Sequence, residues 1–175
     1  MSTVYDPKAI ANFFIDLARA SGVGDLSPMK LQKLVYFAHG WCLAIYDRPL
    51  LSEEVQAWKF GPVIPSLYRE CREYGPKPVT SKLTGWDFEP GIGERTYTPE
   101  VENDEQTQAL LRRVWEIYGR LTPIQLSNLT HEKGSPWDQV TSGLNGRILP
   151  GLVIKNDVIK SHFQQAARAS APQSR

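Results

Sequence analysis

Apolar side chains recur at helical spacing along most of this chain, and five times a small capping residue followed by proline precedes such a stretch: Asp6-Pro7, Ser27-Pro28, Thr98-Pro99, Thr122-Pro123 and Ser135-Pro136. Asp, Ser and Thr side chains accept hydrogen bonds from the unpaired N–H groups of a first helical turn. Proline at the next position sacrifices nothing, because its missing N–H had no intrahelical partner. Each pair therefore predicts a helix start. After Asp6, the residues Ile10, Phe13, Phe14, Leu17 and Ala18 keep the i, i+3, i+4 spacing of an amphipathic helix, which should end near Gly22. After Ser27, the spacing is held by Leu31, Leu34, Val35, Ala38, Trp41, Cys42 and Ile45, while Tyr36, Phe37 and Leu43 widen the apolar surface. This second helix should be central and buried on most sides.

After Thr98, four acids (Glu100, Glu102, Asp104, Glu105) complement the dipole of a helix start. Leu110, Leu111, Val114, Trp115, Ile117 and Tyr118 then form its buried face, with Gly119 as the C-terminal cap. Thr122-Pro123 opens a shorter helix carrying Ile124, Leu126 and Leu129, and Ser135-Pro136 another around Trp137 and Val140. A last helix is expected from Asn156 to about Ala167, with Val158, Ile159 and Phe163 inward.

Two stretches break the helical period. Residues 52–60 alternate polar and apolar side chains, as a strand does, and run into Gly61-Pro62. Pro65 to Tyr74 reads as a helix again, and Gly75 to Thr98 is rich in glycine and proline, a loop with a small hairpin. The expected fold is a single compact domain over residues 1–165, mainly α with a small β-sheet or hairpin. Residues 166–175, small, polar and carrying Pro172, are expected to form a disordered tail.

Composition narrows the function classes. Twenty Lys and Arg against 19 Asp and Glu leave a net charge of +1 over 175 residues, without the basic excess that phosphate neutralisation demands of a duplex-DNA binder. Two cysteines, Cys42 and Cys71, are too few for a disulfide framework or a zinc site. The longest uncharged run, Leu34 to Tyr46, has 13 residues, short of a membrane span. Nor does the N-terminus resemble an export signal. A cytoplasmic chain without membrane association is expected.

Catalytic and metal-binding motifs are sparse. None of the three histidines, His39, His131 and His162, lies at ligand spacing from another, and His131-Glu132 lacks the second histidine of a zincin helix. Gly91 and Gly93 precede Glu94, which would repel a phosphate. Ser27-x-x-Lys30 matches an acyl-serine tetrad in letters, but Ser27 serves better as a helix cap. No catalytic residue, cofactor or metal is expected, and a hydrolase is the least favoured reading. Residues 122–140 offer a second alternative, a helix-turn-helix of a DNA-binding regulator. Its second helix, however, would present Asp138 and no Lys or Arg. The remaining signal is aromatic density, with 5 Trp, 7 Tyr and 6 Phe. Trp58, Phe60, Pro62, Tyr68 and Trp137 can serve the core, or can anchor another protein at a proline-bordered strand edge.

Four blocks carry a resemblance. Met29 to Trp41 (MKLQKLVYFAHGW) looks like the signature helix of the Panacea domain, found in SocA-like antitoxins. The likeness continues in Ala57-Trp58-Lys59-Phe60-Gly61-Pro62-Val63 with Leu67-Tyr68, then in Leu129-Thr130-His131-Glu132 with Ser135-Pro136-Trp137. It closes in Ile154 to Ile159 with Phe163. The resemblance implies a mostly helical antitoxin that neutralises a cognate protein toxin encoded nearby. The family's founding member acts as an adaptor that delivers its toxin to the ClpXP protease, so ClpX or ClpXP is a second implied partner. By the same resemblance, Trp58, Phe60, Pro62, Tyr68, His131 and Trp137 are expected to form a toxin-binding or scaffold surface. His39 and His131 are expected to bond interior backbone groups.

Overall fold

The computed structural model describes residues 3–170. In chain order its elements are helices α1 (Pro7–Ser21) and α2 (Pro28–Tyr46), strands β1 (Val55–Trp58) and β2 (Gly61–Val63), and helix α3 (Pro65–Cys71) with a 3-10 turn, Arg72–Tyr74, behind it. There follow strands β3 (Gly85–Glu89) and β4 (Gly93–Tyr97), helices α4 (Glu105–Tyr118), α5 (Pro123–His131) and α6 (Pro136–Thr141), strand β5 (Val153–Ile154) and helix α7 (Asn156–Ser170). Over the described residues the protein is mainly α with two small antiparallel sheets, β2-β1-β5 and β3-β4. No helix among the described residues is long and apolar enough to cross a membrane.

Four of the five proline pairs open a helix. Asp6, Ser27, Thr122 and Ser135 each accept a backbone N–H from the first turn, and Thr122 with Gln125 completes a reciprocal capping box. Thr98-Pro99 does not. Asp104 caps α4 instead, accepting from the Thr107 N–H at 2.9 Å, while buried Pro99 gives its carbonyl to Asn12 Nδ2 of α1 at 2.9 Å. Of the four acids, only Glu105 lies in the first turn. At the other end, α7 runs to Ser170, five residues into the segment expected to be a disordered tail. Ala166, Ala167 and Ala169 are strong helix formers, which their small size concealed. The rest of that tail, residues 171–175, lies outside the described residues.

Helix α2 is the axis of the fold, buried from Lys30 to Gly40 and touching α1, α3, α4, α5, α7 and β2. Gly40 marks where α7 crosses it: a Cβ there would fall inside the Phe163 ring. That ring meets Tyr36, Phe37 and Trp41 edge-on, and Phe37 stacks on Tyr118 of α4 with centroids 4.3 Å apart. Ile45, Ile117 and Ile124, which periodicity assigned inward, are exposed. The predicted strand is β1, but the Gly61-Pro62 break does not end the sheet. The chain turns through Lys59-Phe60 and returns as β2, pairing Trp58 with Gly61 and Ala57 with Pro62. As an edge strand, β2 tolerates a proline that a central strand would not.

The polar residues inside α2 explain how one helix organises the others. Gln32 accepts the Ile64 N–H and donates to the Ile64 carbonyl, both at 3.0 Å, fixing the junction of β2 and α3. His39 Nδ1 accepts the N–H groups of Leu50 and Leu51 at 3.3 and 3.4 Å, which leaves Nε2–H to donate to Asn156 Oδ1 at 2.9 Å. The expectation for His39 holds: burial lowers its pKa and keeps the ring neutral, as an acceptor of interior N–H groups must be.

Candidate functional site

The turn between β1 and β2 is the centre of an aromatic cluster that gathers the six residues singled out in the sequence. Trp58, at the end of β1, meets the Tyr68 ring of α3 edge-on at 4.8 Å. Its carbonyl accepts the indole N–H of Trp137 from α6 at 2.8 Å. The Trp137 ring in turn lies 4.5 Å from the ring of His131, the last residue of α5. His131 Nδ1–H donates to its own helix's Ser127 carbonyl at 2.7 Å, a half-buried group rather than the interior one expected of it.

Gly61 has φ of +110°, and a Cβ there would press on both the Lys33 ammonium and the His131 ring. Glycine is required twice over at this position, for its backbone angle and for the close approach. Pro62 is buried and contributes its carbonyl, which accepts from Lys33 Nζ at 3.1 Å.

The six residues differ sharply in exposure. Trp58, His131 and Trp137 are half-buried and Pro62 is buried, all tied to neighbours by the contacts just described. Phe60 is 72% exposed and Tyr68 45%, with Met29 of α2 beside them at 45%. A groove of about 300 Å³ runs between these three side chains, floored by Lys33 and Val63 and bordered by Arg72. A wider hollow of about 700 Å³ shares Met29 and Gly75 with it and reaches exposed Ile124 on α5. Large apolar side chains left in contact with water over adjoining concavities suit a protein partner better than a small solute.

Lys33 belongs to this site and had no role assigned from sequence. Its signal was available: a lysine in a helix apolar on most sides must be either paired or functional. Lys30, one turn earlier, is paired with Asp25 at 2.6 Å, but Lys33 has no carboxylate partner among the described residues. Desolvation lowers its pKa to about 7. A second exposed aromatic patch, Trp86 and Phe88 on β3 facing Thr96 and Glu94 on β4, carried no sequence signal beyond the hairpin itself.

No group of three His, Cys, Asp or Glu side chains gathers as a metal cluster among the described residues. Cys42 and Cys71 are free and buried, and burial pushes both thiols up to about 11. Helices α5 and α6 do form where the helix-turn-helix was considered, but α6 spans only Pro136–Thr141 and packs on β1 and β5. Its Asp138 accepts the Gly134 N–H at 2.8 Å, closing its own first turn.

Comparison with known proteins agrees with the sequence blocks. Residues 31–138 match the family model described as antitoxin SocA-like, Panacea domain. The chain is 36% identical over 168 residues to Antitoxin SocA of Caulobacter vibrioides (strain NA1000 / CB15N), covering 95% of this chain and 87% of that protein. No solved structure matches. A family match spanning α2 through α6, together with similarity along nearly the whole length, shows that the chain belongs to the SocA-like antitoxin family of the Panacea domain.

Proposed function

We propose that this protein neutralises a cognate protein toxin encoded nearby by direct contact, through the face formed by Met29, Phe60 and Tyr68, and that it delivers the bound toxin to the ClpXP protease as an adaptor. The observation that carries the reading is Phe60. It is 72% exposed at the tip of a turn whose backbone is held from both sides, by Lys33 and by the Trp58–Trp137 bond. An exposed aromatic on a rigid mount is what a binding anchor requires, because little backbone entropy remains to be lost on docking.

Trp58, Pro62, His131 and Trp137 act on this reading as the mount, and Phe60 and Tyr68 as the contact. Similarity to an antitoxin over 95% of the chain supports the toxin as partner, and the resemblance to the family's founding member supports the protease step. Binding is the whole of the activity, so no reaction is catalysed and no cofactor enters.

The test begins with the small open reading frames beside the gene. One of them should arrest growth when expressed alone, lose toxicity when this protein is co-expressed, and co-purify with it. Its half-life should be short only when this protein and ClpXP are both present. A toxin neutralised but long-lived would overturn the adaptor role and leave neutralisation by occlusion. Absence of any toxic neighbour that binds would overturn the reading as a whole.

A further inference from the structure

Lys33 lines the Met29–Phe60–Tyr68 groove, and its Nζ donates to the carbonyls of Phe60 at 3.3 Å and Pro62 at 3.1 Å. An ammonium carries three N–H donors, and these two bonds leave one unspent. The residue is 3% exposed, so water does not compensate the charge, and no carboxylate among the described residues does either. A buried cation in this position is costly unless an anion joins it. The side chains lining the groove include a second cation, Arg72, and no Asp or Glu.

We propose that Lys33 is the receptor for a carboxylate on the bound protein: the groove accepts a toxin segment in which an Asp or Glu follows an apolar side chain, the apolar group packing against Phe60 and Tyr68 while the acid reaches the free N–H of Lys33. This rests on the reading that the face binds a toxin, and adds which chemistry is recognised there. The same pairing would make recognition selective, since only a segment that brings a carboxylate gains a charged partner here.

The groups around Lys33 are His131 from α5, across Gly61; Tyr68 and Cys71 of α3, with Arg72 just beyond; Lys59 above the Phe60 ring; and Lys30, which Asp25 already neutralises. Free Lys33 has a pKa of about 7, and a carboxylate partner restores the protonated form, so binding takes up a proton. Between about pH 8 and about pH 9, above the range of imidazoles, uptake should approach one proton per complex and affinity should fall nearly tenfold.

The experiment is calorimetric titration of the full-length protein with the co-purified toxin, at both pH values, in two buffers of different ionisation enthalpy. Wild type is expected to show the uptake and the pH-dependent loss. Lys33→Arg should bind with neither, and Lys33→Met should bind at least tenfold more weakly than wild type at about pH 7, with no uptake. Scanning the toxin's acids to amides provides an arm that needs no change in this protein. One such change should abolish the uptake with wild type and add nothing to Lys33→Met. Equal uptake in wild type and Lys33→Met, or tight binding of a toxin stripped of acids, would overturn the carboxylate receptor and leave the antitoxin reading intact. No complex with wild type would overturn both.

Discussion

Trp137 and Trp58, 79 residues apart in sequence, are joined by a single bond from indole N–H to carbonyl oxygen at 2.8 Å. It fastens α6 to the end of β1, next to the exposed turn. Trp137→Phe keeps an aromatic ring against His131 but removes the donor. It should cost about 1 kcal/mol in urea unfolding, or roughly 2–4 °C in Tm for a chain of this size. Toxin affinity should fall about threefold to tenfold, because a turn released on one side must be ordered again on docking, and contact residues should cost more.

His39 ties three parts of the chain together, and its loss should be among the most damaging single changes. His39→Leu leaves the Leu50 and Leu51 N–H groups buried without an acceptor, which should cost roughly 2–5 kcal/mol by urea unfolding. The same ring predicts a pH dependence. Burial lowers the pKa of His39 and of His162 below the ordinary imidazole value, so as pH falls the unfolded chain takes up protons before the folded one. The contribution of these two histidines to stability is therefore complete above about pH 6.5 and declines below it. Tm measured from about pH 7 to about pH 5 should fall, less steeply in His39→Leu.

Lys33 predicts the opposite end of the pH scale. Its folded pKa of about 7 lies far below the ordinary lysine value of 10.5. From about pH 7 upward the folded chain sheds this proton while the unfolded chain keeps it, so the free protein should gain about 1 kcal/mol per pH unit. Urea unfolding at about pH 7 and about pH 8 should show the gain in wild type and none in Lys33→Met.

Four helix starts were legible because their signal is local: an oxygen-bearing side chain before proline is read by the first turn alone, whatever the rest of the fold does. Thr98-Pro99 misled for the complementary reason. Asn12, 87 residues away, draws the Pro99 carbonyl to α1, and that pairing has no sequence period. The alanines of residues 166–169 read as featureless polar tail because helix propensity carries no apolar stripe.

At the site, aromatic identity marked Trp58, Phe60, Tyr68 and Trp137 as a group, but only the tertiary contacts separate mount from contact surface. Phe60 faces water because it sits on a two-residue turn, and Trp137 does not because its N–H is spent on Trp58. Lys33 is not singled out by the sequence even though its helix reads as interior, because a long side chain can carry its ammonium out to water past apolar neighbours.

Truncation of Phe60 and Tyr68 tests the central claim most directly. Phe60→Ala and Tyr68→Ala, together and separately, should leave unfolding cooperative, Phe60→Ala within about 0.5 kcal/mol of wild type because its ring is mostly in water. Each should weaken the complex with the co-purified toxin by at least tenfold, and the double variant should fail to restore growth. Wild-type toxin affinity in the folded double variant would contradict the assignment of this face.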